Sequence, residues 1–282
     1  MGKPLTHKAR KRFGQNFLHD QNIIERIISS IAATSEQHLV EIGPGKGALT
    51  EHLVDAAGKL DVIELDRDLV PLLQTRFSDC RQFTIHNADA LQFDFSSLLV
   101  DPLHNSLQKS NKLRLVGNLP YNIATPLIFH LLDNIGIIQD MYFMLQKEVV
   151  DRLTACPGTR SYGRLSILVQ YLCQAELLFI VPPNAFTPIP GVDSAIVQLT
   201  PRMAIEENDK LQNTTAAGLA QLSYIAKAAF AQRRKTLRNN LKKILPDEQI
   251  IQCDIDPGRR AETLTISEFV ALTNQYAQLH VA

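Results

Sequence analysis

Apolar positions change period several times along the chain, and each change marks a predicted element. Over residues 21–33, Ile23, Ile24, Ile27, Ile28 and Ile31 recur at helical spacing, which predicts an amphipathic helix. Leu39-Val40-Glu41-Ile42 is instead a short apolar run ending in glycines, as a buried strand does. Similar runs at Leu60 to Leu65, Phe83 to His86, Leu113 to Val116, Met141 to Leu145, Leu177 to Val181 and Ala195 to Leu199 bring the predicted strands to seven, with helical patterns between most of them. Alternation of strand and helix predicts an α/β fold with a doubly wound, mostly parallel sheet. The last two runs flank the proline-rich loop Pro182 to Asp193 and predict an antiparallel pair at one edge. After Pro201 the pattern turns helical, first over Gly218 to Phe230, then through a basic stretch, and last over Ser267 to Leu279 with Ser267 as N-cap and Glu268 in the first turn. A boundary near 201 therefore gives two predicted domains, residues 1–200 and residues 201–282, with Glu206 to Thr215 as linker or exposed helix start.

Composition is compatible with this division. At 282 residues and 45% hydrophobic, the chain can bury one large core and a smaller one. No apolar run approaches the roughly 18 residues of a membrane span. The first dozen residues carry Lys3, His7, Lys8, Arg10, Lys11 and Arg12 with no apolar segment behind them, which argues against a secretory signal. Cys80, Cys156, Cys173 and Cys253 match no metal spacing and fit free thiols in a reducing compartment. A soluble cytoplasmic protein without a metal is expected. The 29 basic and 29 acidic residues cancel, yet Lys227, Arg233, Arg234, Lys235, Arg238, Lys242 and Lys243 fall in one 17-residue stretch without an acid. Such a stretch of helical composition suits phosphate contact, with Arg233, Arg234, Lys235 and Arg238 as the candidates for RNA. The alternative is a solvated helix face, although such faces usually mix signs.

Candidate chemistry collects at the predicted strand ends. Glu41-Ile42-Gly43-Pro44-Gly45-Lys46-Gly47 spaces its glycines as G-x-G-x-G, not as the G-x-G-x-x-G of a pyrophosphate turn. Glycines there let backbone approach a ligand before a helix N-terminus. An acid at Glu41 would repel a pyrophosphate and welcome a cation, such as the sulfonium and ammonium of S-adenosylmethionine. Glu64, 21 residues after Gly43, ends the next strand, where a carboxylate can accept both hydroxyls of a ribose. Asp89 follows the third strand and can accept from an adenine amino group, with Ala90 leaving room for the ring. Singly, Glu64, Asp66 and Asp89 could as well be loop-capping acids. Their register at successive strand ends favours a shared crevice. Asn118-Leu119-Pro120-Tyr121 closes the fourth strand with a side-chain acceptor, a carbonyl without a ladder partner, a fixed bend and an aromatic face. Two acceptors and a ring suit the exocyclic nitrogen of a nucleobase, while an ordinary strand-end turn is the alternative.

These residues resemble the small-subunit ribosomal RNA adenine dimethyltransferases, the family known from kasugamycin resistance. The resemblance runs nearly end to end, through Arg12 to Leu18, Glu41 to Gly47, Glu64 to Asp66, Asn87 to Asp89, Asn118 to Ile123, Gln146 to Val149, Pro182 to Phe186 and Val192 to Ala195. It implies a class I S-adenosylmethionine-dependent methyltransferase, Rossmann-like with a seven-stranded, mostly parallel sheet, and a small all-helical C-terminal domain that helps hold RNA. It implies methyl transfer to N6 of two adjacent adenines near the 3′ end of 16S ribosomal RNA within an immature small subunit. By the family's pattern Asn16 and Leu18 close over the cofactor, Gly43 and Gly45 approach it, and Glu64, Asp89, Ala90 and Asn118 line its site. Asn118, Leu119, Pro120 and Tyr121 hold the target base, with Phe186 packing on it; judged alone, Phe186 reads as loop-anchoring core. A monomer is expected, since the RNA supplies the partner surface. Competing readings are a macrolide-resistance enzyme acting on large-subunit RNA, an assembly factor whose methylation is secondary, and a nicotinamide-dependent oxidoreductase, which the glycine spacing disfavours.

Overall fold

A computed structural model of the chain describes residues 15–99, 112–202 and 216–280. The basic residues from Lys3 to Arg12 and the stretch Glu206 to Thr215 lie outside the described residues. In chain order the strands are β1 (Phe17–Leu18), β2 (His38–Ile42), β3 (Lys59–Glu64), β4 (Phe83–Asn87), β5 (Leu113–Asn118), β6 (Ile138–Gln146), β7 (Cys173–Val181), β8 (Phe186–Thr187) and β9 (Ser194–Pro201). The helices are α1 (Gln21–Ile31), α2 (Thr50–Ala56), α3 (Val70–Arg76), α4 (Ala124–Asp133), α5 (Lys147–Leu153), α6 (Arg164–Leu172), α7 (Ala216–Ala229), α8 (Leu237–Leu241), α9 (Asp247–Ile251) and α10 (Ile266–His280).

All seven predicted runs are strands of one sheet, in the order β4-β3-β2-β5-β6-β9-β7. The pairs β3 with β4, β2 with β3, β2 with β5 and β5 with β6 are parallel, whereas β9 runs antiparallel to β6. The two runs expected at one edge are there, as neighbours β9 and β7. Every residue of β2 is buried, as a central parallel strand with helices on both faces requires. The α1 spacing buries Ile24, Ile27 and Ile31, and the Asp20 carboxylate caps the helix by accepting from the Ile23 amide. A separate two-stranded ribbon joins β1 to β8, pairing Phe17 with Thr187 and Leu18 with Phe186.

A charged pair between β5 and β6 lies inside the sheet domain. Arg114 on β5 is 4% exposed, and its guanidinium donates to both oxygens of Asp140 on β6, to the Gln37 side chain and to the Ile31 carbonyl. All three nitrogens of the guanidinium are engaged, which makes burial of the charge tolerable.

The chain divides into two compact units. Among the described residues, the first runs to Val150 and resumes over Glu176–Pro201, while the second takes Asp151–Ala175 and everything from Arg202 onward. A single cut near 201 leaves residues 151–175 in the first unit, but α6 packs on α7 and α10, and Arg164 donates to Ser223. Two local expectations are also corrected here. The basic stretch is not one helix: α7 ends at Ala229 and α8 begins at Leu237, and the Asn240 side-chain nitrogen donates to the Ala229 and Gln232 carbonyls, satisfying acceptors left open by the break. The cap of α10 is Thr265, not Ser267. Thr265 Oγ1 accepts from the Glu268 amide while a Glu268 carboxylate oxygen accepts from the Thr265 amide, a reciprocal capping box.

Truncating Arg114 would leave the Asp140 carboxylate buried without its cation. Arg114→Ala is expected to lower unfolding stability by about 3–5 kcal/mol, measured by urea denaturation; a loss below about 1 kcal/mol would refute the role given to this pair.

Candidate active site

From β2 the chain proceeds outward through β3 and β4, then returns to β5 on the other flank and continues to β6. That reversal of strand order opens a crevice at the carboxyl ends of β2 and β5. A cavity of about 330 Å³ occupies it. It is lined by Glu41 to Lys46 after β2, by Ile63 to Leu65 at the end of β3, by Ala88 to Ala90 after β4, by Asn118 to Ile123 after β5, and by residues 15–18 of the N-terminal arm.

The turn after β2 depends on its glycines. Gly43 and Gly45 adopt φ of +68° and +59°, the left-handed region that side chains disfavour. A Cβ on Gly45 would also stand 3.2 Å from the Phe17 ring. The arm packs against this bare backbone, and the Lys46 ammonium lies 4.6 Å from the centre of the same ring.

Four acids line or border the cavity. Glu64 accepts from the backbone amides of Asp66 at 2.7 Å and Gly45 at 3.3 Å, so its carboxylate stitches the ends of β2 and β3 together. Glu41 is 2% exposed and accepts from the Thr50 hydroxyl at 2.6 Å. Burial pushes Glu64 up to about 7, against the pull of its amide donors. Burial likewise pushes Glu41 up to about 7, with the Thr50 hydroxyl opposing and the charge of Glu64 adding to the rise. Asp66 accepts from the Gln15 side chain at 3.0 Å, and Asp89 accepts from the Leu91 amide at 3.0 Å. Such a wall is destabilised by its own charge and relieved by a bound cation.

On the opposite side, Asn118 donates its amide nitrogen to the Asn16 carbonyl at 3.0 Å. A carbonyl can receive only the NH₂ end, so the contact fixes which way the amide points and leaves its oxygen as an acceptor. Leu119 donates its own amide to the Met144 carbonyl, and among the described residues nothing donates to the Leu119 carbonyl. The Tyr121 hydroxyl meets the buried Ser194 hydroxyl at 3.1 Å, which holds the ring beside the cavity.

The structure thus brings together Asn16, Leu18, Gly43, Gly45, Glu64, Asp89, Ala90, Asn118, Leu119, Pro120 and Tyr121. Phe186 is not with them. Its ring is 1% exposed in the core beneath the β1–β8 ribbon and presents no free face to the cavity. The basic candidates also differ among themselves. Arg233 is paired to Glu262 and Arg238 to Asp247, whereas Arg234 and Lys235, with Lys242 and Lys243, are exposed and carry no ion pair among the described residues. Thr50, through Glu41, and Ser194, through Tyr121, support the lining residues; Ser194 lies in a segment that carries the family resemblance, but the sequence assigns neither hydroxyl a role, because a lone hydroxyl has no periodic or spacing signal.

A glycine turn, an acid at the end of the next strand and an Asn-Leu-Pro-Tyr edge at the switch point of this sheet define a class I S-adenosylmethionine-dependent methyltransferase. Solved structures agree on the fold: a dimethyladenosine transferase from Plasmodium falciparum (TM-score 0.73, 24% identity, covering 90% of this chain and 95% of that one) and the 23S rRNA methyltransferase ErmE (TM-score 0.69, 23% identity, 93% and 100%). More particularly, the family model described as ribosomal RNA adenine dimethylase matches residues 6–278, and the chain belongs to that family. Curated relatives named ribosomal RNA small subunit methyltransferase A are 52% identical in Chromohalobacter salexigens, over 98% of this chain and 94% of that protein, and 52% identical in Pseudomonas aeruginosa, over 99% and 98%. Among the described residues, no helix is long and apolar enough to cross a membrane, and no cluster of His, Cys, Asp and Glu could hold a metal ion.

Glu41 sets a pH dependence for the ligand-free protein. Its folded value of about 7 lies above the ordinary 4.5, so its stabilising contribution is complete below the unfolded value and is lost as pH rises through about 7. Between pH 6 and pH 8, Glu41→Gln is expected to remove about 1.4 kcal/mol of stability loss. Denaturant titration of both proteins at the two pH values measures this, and parallel pH profiles would refute it.

Proposed function

We propose that this chain transfers methyl groups from S-adenosylmethionine to N6 of two adjacent adenines near the 3′ end of 16S ribosomal RNA, acting in the cytoplasm, as a monomer, on an immature small subunit. The observation that carries this reading is the oriented Asn118 amide beside the open Leu119 carbonyl, at the mouth of an acid-lined crevice. The names of the relatives from Chromohalobacter salexigens and Pseudomonas aeruginosa support the choice of the small subunit.

The residues fit the cofactor by the chemistry of their donors and acceptors. Glu41 and Glu64 form the buried acidic wall that a sulfonium and an ammonium would relieve. Gly43 offers backbone with no side chain against it, while the Phe17 ring of the arm covers Gly45. Glu64 would take the ribose hydroxyls and Asp89 the adenine amino group, with Asn16 and Leu18 as the wall of the arm. When bound, S-adenosylmethionine would supply an electrophilic methyl group, the bonding electrons staying with its sulfur and the nitrogen that takes the methyl giving its proton to water.

The protein's part is orientation. An adenine amino group has two protons and one lone pair. Acceptors at Asn118 Oδ1 and the Leu119 carbonyl would hold the protons, which turns the lone pair toward the methyl. Pro120 fixes the angle between the two acceptors. Tyr121, tied to Ser194, offers its ring to a base that has left its stack. Arg234, Lys235, Lys242 and Lys243 would contact phosphates, and this is where the predicted RNA-binding role now rests.

The test is transfer of labelled methyl to small subunits lacking the modification, with large subunits as control and product mapped by digestion. Label confined to small-subunit N6,N6-dimethyladenosine is expected, and label in the large subunit or nowhere would overturn the reading. Asn118→Ala should lower the transfer rate by about a hundredfold or more with cofactor affinity within a few-fold of wild type; undiminished methylation would remove Asn118 from the mechanism. RNA affinity should fall steeply with salt, and Arg234→Ala with Lys235→Ala should reduce the slope of log affinity against log salt by about 1.5 to 2. An unchanged slope would remove the phosphate contacts.

A further inference from the structure

The loop between β8 and β9 has no part in the site as described so far, yet it begins and ends on the site's walls. At its start, Thr187 pairs with Phe17, which lines the cavity. At its end, Ser194 holds the Tyr121 hydroxyl at 3.1 Å, and the Asp193 carbonyl accepts from the Lys147 amide at 2.9 Å. Between these anchors Pro190 is buried, while Pro188, Ile189, Gly191 and Val192 are exposed. Ile189 is 70% exposed, the most open large apolar side chain among the described residues, and Val192 is 47% exposed. A Cβ added to Gly191 would meet nothing within 4 Å, so the tip stands clear of the protein.

A single exposed isoleucine is ordinary on a protein surface. This one differs in its mounting. Proline on each side fixes the neighbouring backbone angles, and the buried Pro190 seats the tip, so Ile189 is held out with little conformational freedom. A side chain presented in this way gains nothing for the fold and loses free energy to water. Apolar wedges between neighbouring bases are how proteins unstack nucleic acid, and a target adenine must leave its stack to reach Asn118.

We propose that Ile189, at the exposed tip of the loop that also carries Val192, is the wedge that enters the base step next to the target adenine and fills the space the base leaves. This rests on the methyl-transfer reading above, and it adds a positioning residue that touches RNA without touching the reacting atoms. Loop attachment makes the coupling direct: the strand that follows the wedge begins at Ser194, which also holds the ring awaiting the base.

The test compares wild type, Ile189→Ala and Ile189→Met on unmethylated small subunits, with cofactor affinity and thermal stability measured alongside. Ile189→Ala is expected to lower the maximal transfer rate by about ten- to a hundredfold, leaving cofactor affinity and melting unchanged, while Ile189→Met keeps most of the rate. On a hairpin RNA with an abasic spacer beside the target adenine, the deficit of Ile189→Ala should shrink to less than threefold, because the stack is already broken. Wild-type rates in the alanine variant, or a deficit that the abasic RNA does not relieve, would overturn the wedge alone. A wild-type protein that methylates no RNA would overturn the methyl-transfer reading and the wedge with it.

Discussion

Where the central strands β2 and β5 end, at Ile42 and Gly117, the backbones lie closer than a side chain would allow. A Cβ on Gly117 would stand 2.6 Å from the Ile42 carbonyl oxygen, and no rotamer can relieve a clash made by the Cβ itself. Because residue 117 is glycine, the end of β5 runs beside the turn that leaves β2. The Asn118 carbonyl oxygen then sits 3.8 Å from where a Gly43 Cβ would be. The acceptor side and the glycine side of the crevice are therefore set by one backbone contact, at the place where strand order reverses. A shift between these strands would separate the two halves of the chemistry without unfolding either.

The arm and the acids depend on that contact in turn. Gln15 and Asn16 come from the start of the described chain, yet one bonds Asp66 and the other Asn118, 51 and 102 residues away. Closing such loops costs entropy, and a few hydrogen bonds at a surface return little of it. What fixes the arm is the β1–β8 ribbon, with Leu18 and Phe186 both buried in the core beneath it. Phe186 is thus structural in this fold: it holds the wall in place from below. The acidic residues follow the opposite logic. Glu41 and Glu64 are held where their ionised forms are disfavoured, a local cost that the packed strands on either side sustain and that a cationic ligand would offset.

What the sequence revealed and what it hid divide by range. Strand positions were readable because each apolar run is bounded by glycine, proline or a polar turn, and burial of both sheet faces makes those runs nearly continuous. Strand-end residues such as Gly43, Glu64, Asp89 and Asn118 were readable by register, since parallel strands bring their carboxyl ends to one edge. Contacts between distant segments were not. Nothing in the spacing of Phe186 says that it pairs with Leu18; judged alone it reads as loop-anchoring core, which is how the fold uses it, and only the family resemblance suggested a base platform. Residues 151–175 look like one more helix of an alternating pattern, and only their packing against α7 and α10 assigns them to the second unit. The basic stretch hid its break for a local reason: Asn240 acts across a turn, which composition averages away.

The crevice is chemically asymmetric, and the asymmetry bears on how the reaction is helped. Its carboxylates gather around Glu41, Glu64 and Asp66, on the side of the glycine turn. The Asn118 side presents an amide and a backbone carbonyl, neither of which can take up a proton at neutral pH, and a tyrosine whose hydroxyl is engaged with Ser194. A base on that side would suit a reaction limited by proton removal. An amino group attacking a sulfonium carbon needs its lone pair aimed and its ring held, and it becomes acidic only after the bond has formed. The residues present are acceptors of fixed direction. Asn118 owes its direction to Asn16, Leu119 to the hydrogen bond its N–H donates to the Met144 carbonyl, and Tyr121 to Ser194, three anchors from three different segments. Rate would then come from the rigidity of those anchors more than from the acidity of any one group.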